Sequence, residues 1–225
     1  MLRDNQPFYT LPKPGALNVS STIEVDRILE FVDNNIGTFS SYYHQNKNSV
    51  AENWISNLLV RHFQICKIDQ DGFLPYDFSK NPPQSQSGKE TDIGVYVNTR
   101  NAKPIPIIEF EAKRFSESSN NKEYVCGDRG GMERFKRGHH SSHLKVCGML
   151  GYIQSRTAAE WITKVNDWLG ELSANNTDAT IDWTNKKEQL ISVTSSPGIE
   201  KLSSLNVRKQ AGDEIFLWHY FIDLN

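Results

Sequence analysis

Two short alternating segments joined by a polar turn constrain this chain most. From Asp92 to Val97, Ile93, Val95 and Val97 fall on one face of a strand and Asp92, Gly94 and Tyr96 on the other. Asn-Thr-Arg-Asn-Ala-Lys-Pro then turns the chain into Ile105 to Lys113. There Ile107, Glu109, Glu111 and Lys113 share a face, opposite Ile108, Phe110 and Ala112. The pair predicts a β-hairpin with one carboxylate-rich face.

Helical periodicity flanks it. Ile23, Arg27, Ile28, Phe31 and Val32 predict a helix over 23–35, closed by Gly37. Ser49-Val50-Ala51-Glu52 reads as a capping box opening a second helix to about Ile65, with Trp54, Ile55, Leu58, Leu59 and His62 on its apolar stripe. A strand or turn is expected near Gly72 to Phe78, and the proline-rich SKNPPQSQSGKE is expected to be a surface loop. Downstream, Gly130-Gly131 precedes a short helix over Met132 to Arg137, and Val146 to Ile153 reads as a buried strand. Thr157 to Leu172 is a helix, and SANNTDAT a loop. Leu190 to Val207 is expected to hold two short strands, before an aromatic strand from Ile215 to Ile222.

At 225 residues the chain suits one domain. Residues 1–20 are expected to form an extended arm, 50–153 the central motif region and 154–225 a C-terminal helix and strands. A content of 11% aromatics and a net charge of -2 exclude a disordered polyelectrolyte. No apolar run is long enough to span a bilayer, and the start lacks the pattern of a secretory signal, so a cytoplasmic protein without membrane contact is expected. Cys66, Cys126 and Cys147 form no CxxC pair, which agrees with a reducing compartment.

The hairpin face carries the chemistry. An aspartate on one strand and Glu-x-Lys on the next bring two carboxylates and an ammonium together, a hard-oxygen set suited to Mg²⁺ or Mn²⁺ completed by substrate phosphate. Thr91-Asp92 followed by Glu111-Ala112-Lys113 resembles the D…(D/E)xK signature of the PD-(D/E)XK nuclease superfamily, with threonine where the family name has proline. The resemblance spans about Val50 to Ile153. It implies a restriction-endonuclease-like αβββαβ core of the mixed α/β class with flanking helices. It also implies Mg²⁺- or Mn²⁺-dependent endonuclease activity in restriction, defence or repair, with DNA favoured over RNA. Asp92 and Glu111 would be metal ligands, Lys113 the catalytic lysine and Glu52 the acid from the preceding helix. The protein would act as a homodimer or beside partner subunits.

Other readings stay open beside it. Glu109, Glu111 and Lys113 also suit a solvated strand face with cross-strand ion pairs. Glu52 serves equally as a helix cap, and Gln154 suits either substrate contact or a cap of the following helix. Near-neutral net charge means that any polyanion must be held locally. Arg129, Arg134, Lys136 and Arg137, with Lys145 and the histidines 139, 140 and 143 nearby, are candidates for phosphate contacts. A rival use of that segment is a zinc site of Cys126, His139, His143 and Cys147. In another class stands a catalytically inert nucleic-acid-binding or complex-assembly domain of the same fold. Nothing in the chain matches a P-loop, dinucleotide fingerprint, zincin or nucleophile-elbow motif.

Overall fold

The computed structural model describes residues 23–68, 75–82, 90–98, 105–127, 129–184 and 186–225. The expected arm, the segment around Gly72, the middle of the proline-rich loop and most of the hairpin turn lie outside them. Helix α1 (Ile23–Asn35) starts and ends where its spacing predicts, with Val25, Ile28, Leu29, Phe31 and Val32 turned inward. A 3-10 turn over Ile36–Thr38 leads into α2 (Phe39–Asn46). That helix has no readable period, because Phe39 and Tyr43 are its only buried residues. Helix α3 (Glu52–Ile68) buries Ile55, Leu58, Leu59 and Phe63 and runs three residues beyond the expected end.

Seven strands follow: β1 (Tyr76–Lys80), β2 (Ile93–Val97), β3 (Ile108–Phe115), β4 (Val146–Ile153), β5 (Ile191–Ser196), β6 (Ile199–Arg208) and β7 (Asp213–Asp223). Helix α4 (Gly131–Lys136) lies between β3 and β4 in sequence, and α5 (Ala158–Asn175) follows β4. All seven strands join one mixed sheet of order β1-β2-β3-β4-β7-β6-β5. The pairs β3–β4 and β4–β7 are parallel, and the outer pairs are antiparallel. A parallel centre requires crossovers; their helices α4 and α5 cover one face of the sheet, and α1 to α3, which precede the strands, cover the other. Alternation along β4 divides the core accordingly. Val146, Leu150 and Tyr152 join the cluster under α1 to α3, whereas Cys147, Met149 and Ile153 join the cluster that takes in α5. Rings anchor each side: Phe63 lies 4.9 Å from Phe78 on the first, and Phe115 stacks at 4.8 Å on Trp161 on the second.

The mixed α/β class is therefore as expected, and β2 and β3 do form the antiparallel hairpin. Two details differ. The second hairpin strand begins at Ile108 and continues to Phe115. Its charged face is not solvated, since Glu109, Glu111 and Lys113 are only 0, 1 and 9% exposed. The strand is enclosed because β4 runs beside it and α4 is packed over that face. Among the described residues no helix is long and apolar enough to cross a membrane.

Candidate active site

Strand β3 outruns its neighbour β2. Their pairing ends with Ile93 opposite Phe110 and a last bond from Asp92 N to Phe110 O, while β3 stays paired to β4 as far as Phe115. The N–H groups of Ala112 and Arg114 point to the vacated edge, where a buried donor needs an acceptor. Carboxylates supply it: Asp92 Oδ2 accepts from Ala112 N at 2.7 Å, and Glu52 Oε2 accepts from Arg114 N at 3.0 Å. The expected capping box is consequently not formed. Ser49 Oγ accepts from Ala51 N, and Glu52 reaches β3 instead. A closed capping box does exist elsewhere, between Thr157 and Glu160 at the start of α5.

Beside this edge, Lys113 Nζ donates to Glu111 Oε1 at 2.7 Å and stands 3.7 Å from Glu52 Oε1. Burial pushes the Asp92 carboxyl up to about 6, and Glu111 alongside adds to it, against the pull of Lys113 and the Ala112 N–H. Burial also raises Glu111 and Glu52, with Lys113 the main opposing influence on both. Burial alone would depress Lys113, but Glu111, Glu52 and Asp92 outweigh it and raise it above its ordinary value. Lys113 is therefore held as a cation. Three carboxylates share one small region, and each is harder to ionise than in water.

Helix α4 closes over Glu111 from the other side. Arg134 Nη1 donates to Glu111 Oε1 at 3.2 Å, and His140 Nε2 lies 3.5 Å from Oε2. Gly131 permits the approach, since a Cβ there would stand 2.5 Å from Met149 Cε and 3.3 Å from Glu111 Cγ. Two non-glycine residues in the left-handed region border the same site: Asn81 at φ 49°, whose N–H donates to Asp92 O, and Ser141 at φ 50° after His140. Such conformations are uncommon and cluster at functional sites.

Lys80 was not singled out in the sequence, because it closes β1 inside what reads as a proline-rich loop. Its Nζ donates to Asn53 O and Asn53 Oδ1, both at 3.1 Å, and its charge acts on Asp92 and Glu52. Gln154 caps no helix. Its amide donates to Val50 O at 3.1 Å and accepts from Arg114 Nη1 at 3.3 Å, which ties the ends of β3 and β4 to the entrance of α3.

The basic segment is dispersed rather than arrayed on one surface. Arg129 is exposed. Arg134 points inward to Glu111, and Arg137 is shared between Glu133 and Asp178. Lys136 is 2% exposed, ion-paired with Glu188 and 4.6 Å from the Trp183 ring centroid. Its expected phosphate contact is contradicted by this geometry, because leaving Glu188 would strand a buried carboxylate. The zinc arrangement does not assemble either. Cys147 is sealed in β4 with its thiol pushed up to about 12 by burial, and His143 Nε2 lies 3.2 Å from Pro106 O.

Among the described residues, no three His, Cys, Asp or Glu side chains form a group able to hold a metal ion. That argues against a four-ligand zinc cage. Mg²⁺ differs, because one or two carboxylates with water and phosphate suffice to bind it. The donor chemistry fits such an ion: Asp92 and Glu111 are hard oxygen donors whose mutual repulsion a divalent cation would relieve. Comparison with protein-family models, curated proteins and solved structures finds no match to this chain.

Proposed function

We propose that this chain is a divalent-metal-dependent nuclease of the restriction-endonuclease-like kind, hydrolysing phosphodiester bonds with DNA favoured as substrate. The observation that carries the reading is the β3 edge, where Asp92 and Glu52 are clamped by backbone N–H groups beside the buried Glu111–Lys113 pair. The succession α3, β1, β2, β3, α4, β4 agrees with the αβββαβ order that the resemblance implies.

In this reading Asp92 and Glu111 hold Mg²⁺ or Mn²⁺, which when bound supplies Lewis-acid polarisation of the phosphate and a water of low pKa. Lys113 remains an ammonium and acts by stabilising negative charge and orienting water, not by taking a proton. Glu52 keeps that ammonium charged and aimed. Lys80, whose charge acts on Asp92 and Glu52, and the exposed Arg129 are the cations offered to substrate phosphate within this reading.

One observation favours the inert-domain alternative: Lys113, Arg134 and His140 already surround Glu111, as in a polar lock of purely structural use. The two readings separate on metal. Supercoiled, linear and single-stranded DNA and RNA would be incubated with Mg²⁺, Mn²⁺ or chelator, using wild type and the Asp92→Asn, Glu111→Gln and Lys113→Ala variants. Cleavage that needs the cation and falls by roughly 100-fold or more in each folded variant is expected. Chelator-resistant cleavage, or wild-type rates in all three variants, would overturn the proposal.

A further inference from the structure

Arg114 closes the run Glu111-Ala112-Lys113-Arg114 on β3, and its side chain leaves the strand on the face opposite Lys113, towards the entrance of α3. Its root is fixed twice over. The backbone N–H donates to Glu52 Oε2 at 3.0 Å, and the residue pairs with Tyr152 across the parallel β3–β4 ladder. The guanidinium is then aimed through one nitrogen: Nη1 donates to Val50 O at 3.0 Å and to Gln154 Oε1 at 3.3 Å. Both acceptors are neutral.

Two other arginines of this chain show what such an anchor is used for. Arg208 gives Nη1 to the carbonyls of Ser141 and Ser142 and sets Nε and Nη2 on the two oxygens of Asp213, at 2.7 and 2.8 Å. Arg137 gives Nη1 to the Thr180 hydroxyl and sets Nε on Glu133 Oε1 at 2.7 Å and Nη2 on Asp178 Oδ2 at 2.6 Å. In each, Nη1 is spent on neutral oxygen, while the edge formed by Nε and Nη2, whose N–H bonds run parallel, holds carboxylate. Arg114 has the same neutral anchor for Nη1. Its Nε and Nη2 meet no carboxylate among the described residues, and on this half-buried side chain both stay accessible.

Position indicates which oxyanion that edge suits. Arg114 follows Lys113 directly, and its charge bears on Glu52, which stands 3.7 Å from Lys113 Nζ. Lys113 and the carboxylates serve the phosphate being cleaved, so Arg114, turned to the other face of β3, is left for a phosphate beside it. We propose that Arg114 is a substrate-binding residue whose Nε and Nη2 grip both non-bridging oxygens of a backbone phosphate adjoining the scissile one, with Val50 O and Gln154 holding the guanidinium in place. The identity of the ligand rests on the nuclease reading; the open fork does not.

Binding and cleavage test the two separately. Arg114→Gln keeps an amide N–H for Val50 O but loses the charge and the fork, whereas Arg114→Lys keeps the charge without the fork. Thermal melts establish that each variant is folded, and anisotropy of a short fluorescent DNA duplex in Ca²⁺ buffer, over a range of salt, measures binding. Arg114→Gln should bind roughly 10- to 100-fold more weakly than wild type. Its slope of log affinity against log salt should be smaller by about 0.9, the release of one phosphate contact. Arg114→Lys should keep the wild-type slope and recover only part of the affinity, because an ammonium is a point charge. In the cleavage assay the loss should fall on KM with kcat little changed, as for a group that holds substrate and transition state alike. Wild-type affinity and slope in folded Arg114→Gln would overturn the proposal even in a protein that cleaves DNA. So would weaker binding with an unchanged slope, the mark of a staple that only supports α3. If Arg114→Gln does not fold, wild-type affinity in Arg114→Lys would overturn the fork. A wild type that binds DNA with this Arg114-dependent slope and cleaves nothing would remove the nuclease reading and keep the phosphate contact. One that binds no nucleic acid would overturn both.

Discussion

The most informative perturbation is Asp92→Asn. The Asp92 carboxyl is held at about 6 in the folded chain against 3.8 for an ordinary aspartate. Because the folded value is the higher, ionisation opposes folding: the penalty is complete above pH 6 and fades as the pH falls towards 4. The difference corresponds to roughly 3 kcal/mol at neutral pH. An asparagine keeps an acceptor for the Ala112 N–H and removes the buried charge beside Glu111. The variant should therefore be more stable than wild type at pH 7.5, by about 1–3 kcal/mol once the imperfect amide is allowed for. At about 2–4 °C per kcal/mol for a chain of this size, its Tm should rise by roughly 2–12 °C. At pH 5 the advantage should shrink to about half.

Calorimetry at both pH values, with and without Mn²⁺, supplies the assay. Wild type should gain about 2.7 kcal/mol when the free cation is at a hundred times its Kd, and the variant should gain little. Gain of stability with loss of metal response and cleavage would mark Asp92 as a group retained for function at the expense of stability. A variant less stable than wild type at pH 7.5, or a benefit equal at pH 5 and 7.5, would refute the reasoning.

Four further outcomes are expected. Glu52→Gln retains an acceptor for Arg114 N, so its Tm should stay near wild type while metal-dependent cleavage falls roughly 10- to 100-fold; no change in either limits Glu52 to the sheet edge. Glu188→Ala strands the buried Lys136 ammonium and should cost about 3–5 kcal/mol in denaturant titrations, much of it recovered in the Lys136→Met, Glu188→Leu double variant. His219 is sealed between Tyr124 and Ser204, and burial depresses it to about 3, so its stabilising contribution is complete above about pH 6.5 and is lost as the pH falls from there towards 3. His219→Gln should flatten that acid limb of stability against pH, where Asp92 acts in the opposite sense. Arg129→Ala should reduce the slope of log affinity for duplex DNA against log salt by about 0.9, measured in Ca²⁺ buffer; an unchanged slope would remove Arg129 from the phosphate path.

Much of this site was legible because strand and helix periods are local. Alternation placed Asp92 at the head of β2 and Glu111 and Lys113 on one face of β3, and the helical period located α1, α3 and α5. The same logic failed for α2, whose two buried aromatic residues are too few to make a period, and for Lys80, whose short strand is masked by the prolines after it. Gly130-Gly131 was noticed as a helix entrance, but its closeness to Glu111 is a contact across elements, which no spacing along the chain records.

Local sequence thus determined which residues share a face, and so the presence of a carboxylate-and-lysine strand in a mixed α/β chain. Tertiary structure decided what that face meets. The β3 face is buried because β4 pairs in parallel beside it and α4 covers it, which converts an ordinary charged strand into a site with shifted ionisation. It also decided that Glu52 binds Arg114 N instead of closing a capping box, because β3 extends past β2 and leaves an N–H that needs an acceptor. The basic segment was divided in the same way. Arg134 and Lys136 have similar charge in sequence, yet one meets Glu111 and the other Glu188, since a charge entering a low-dielectric interior is stable only where the fold supplies its opposite.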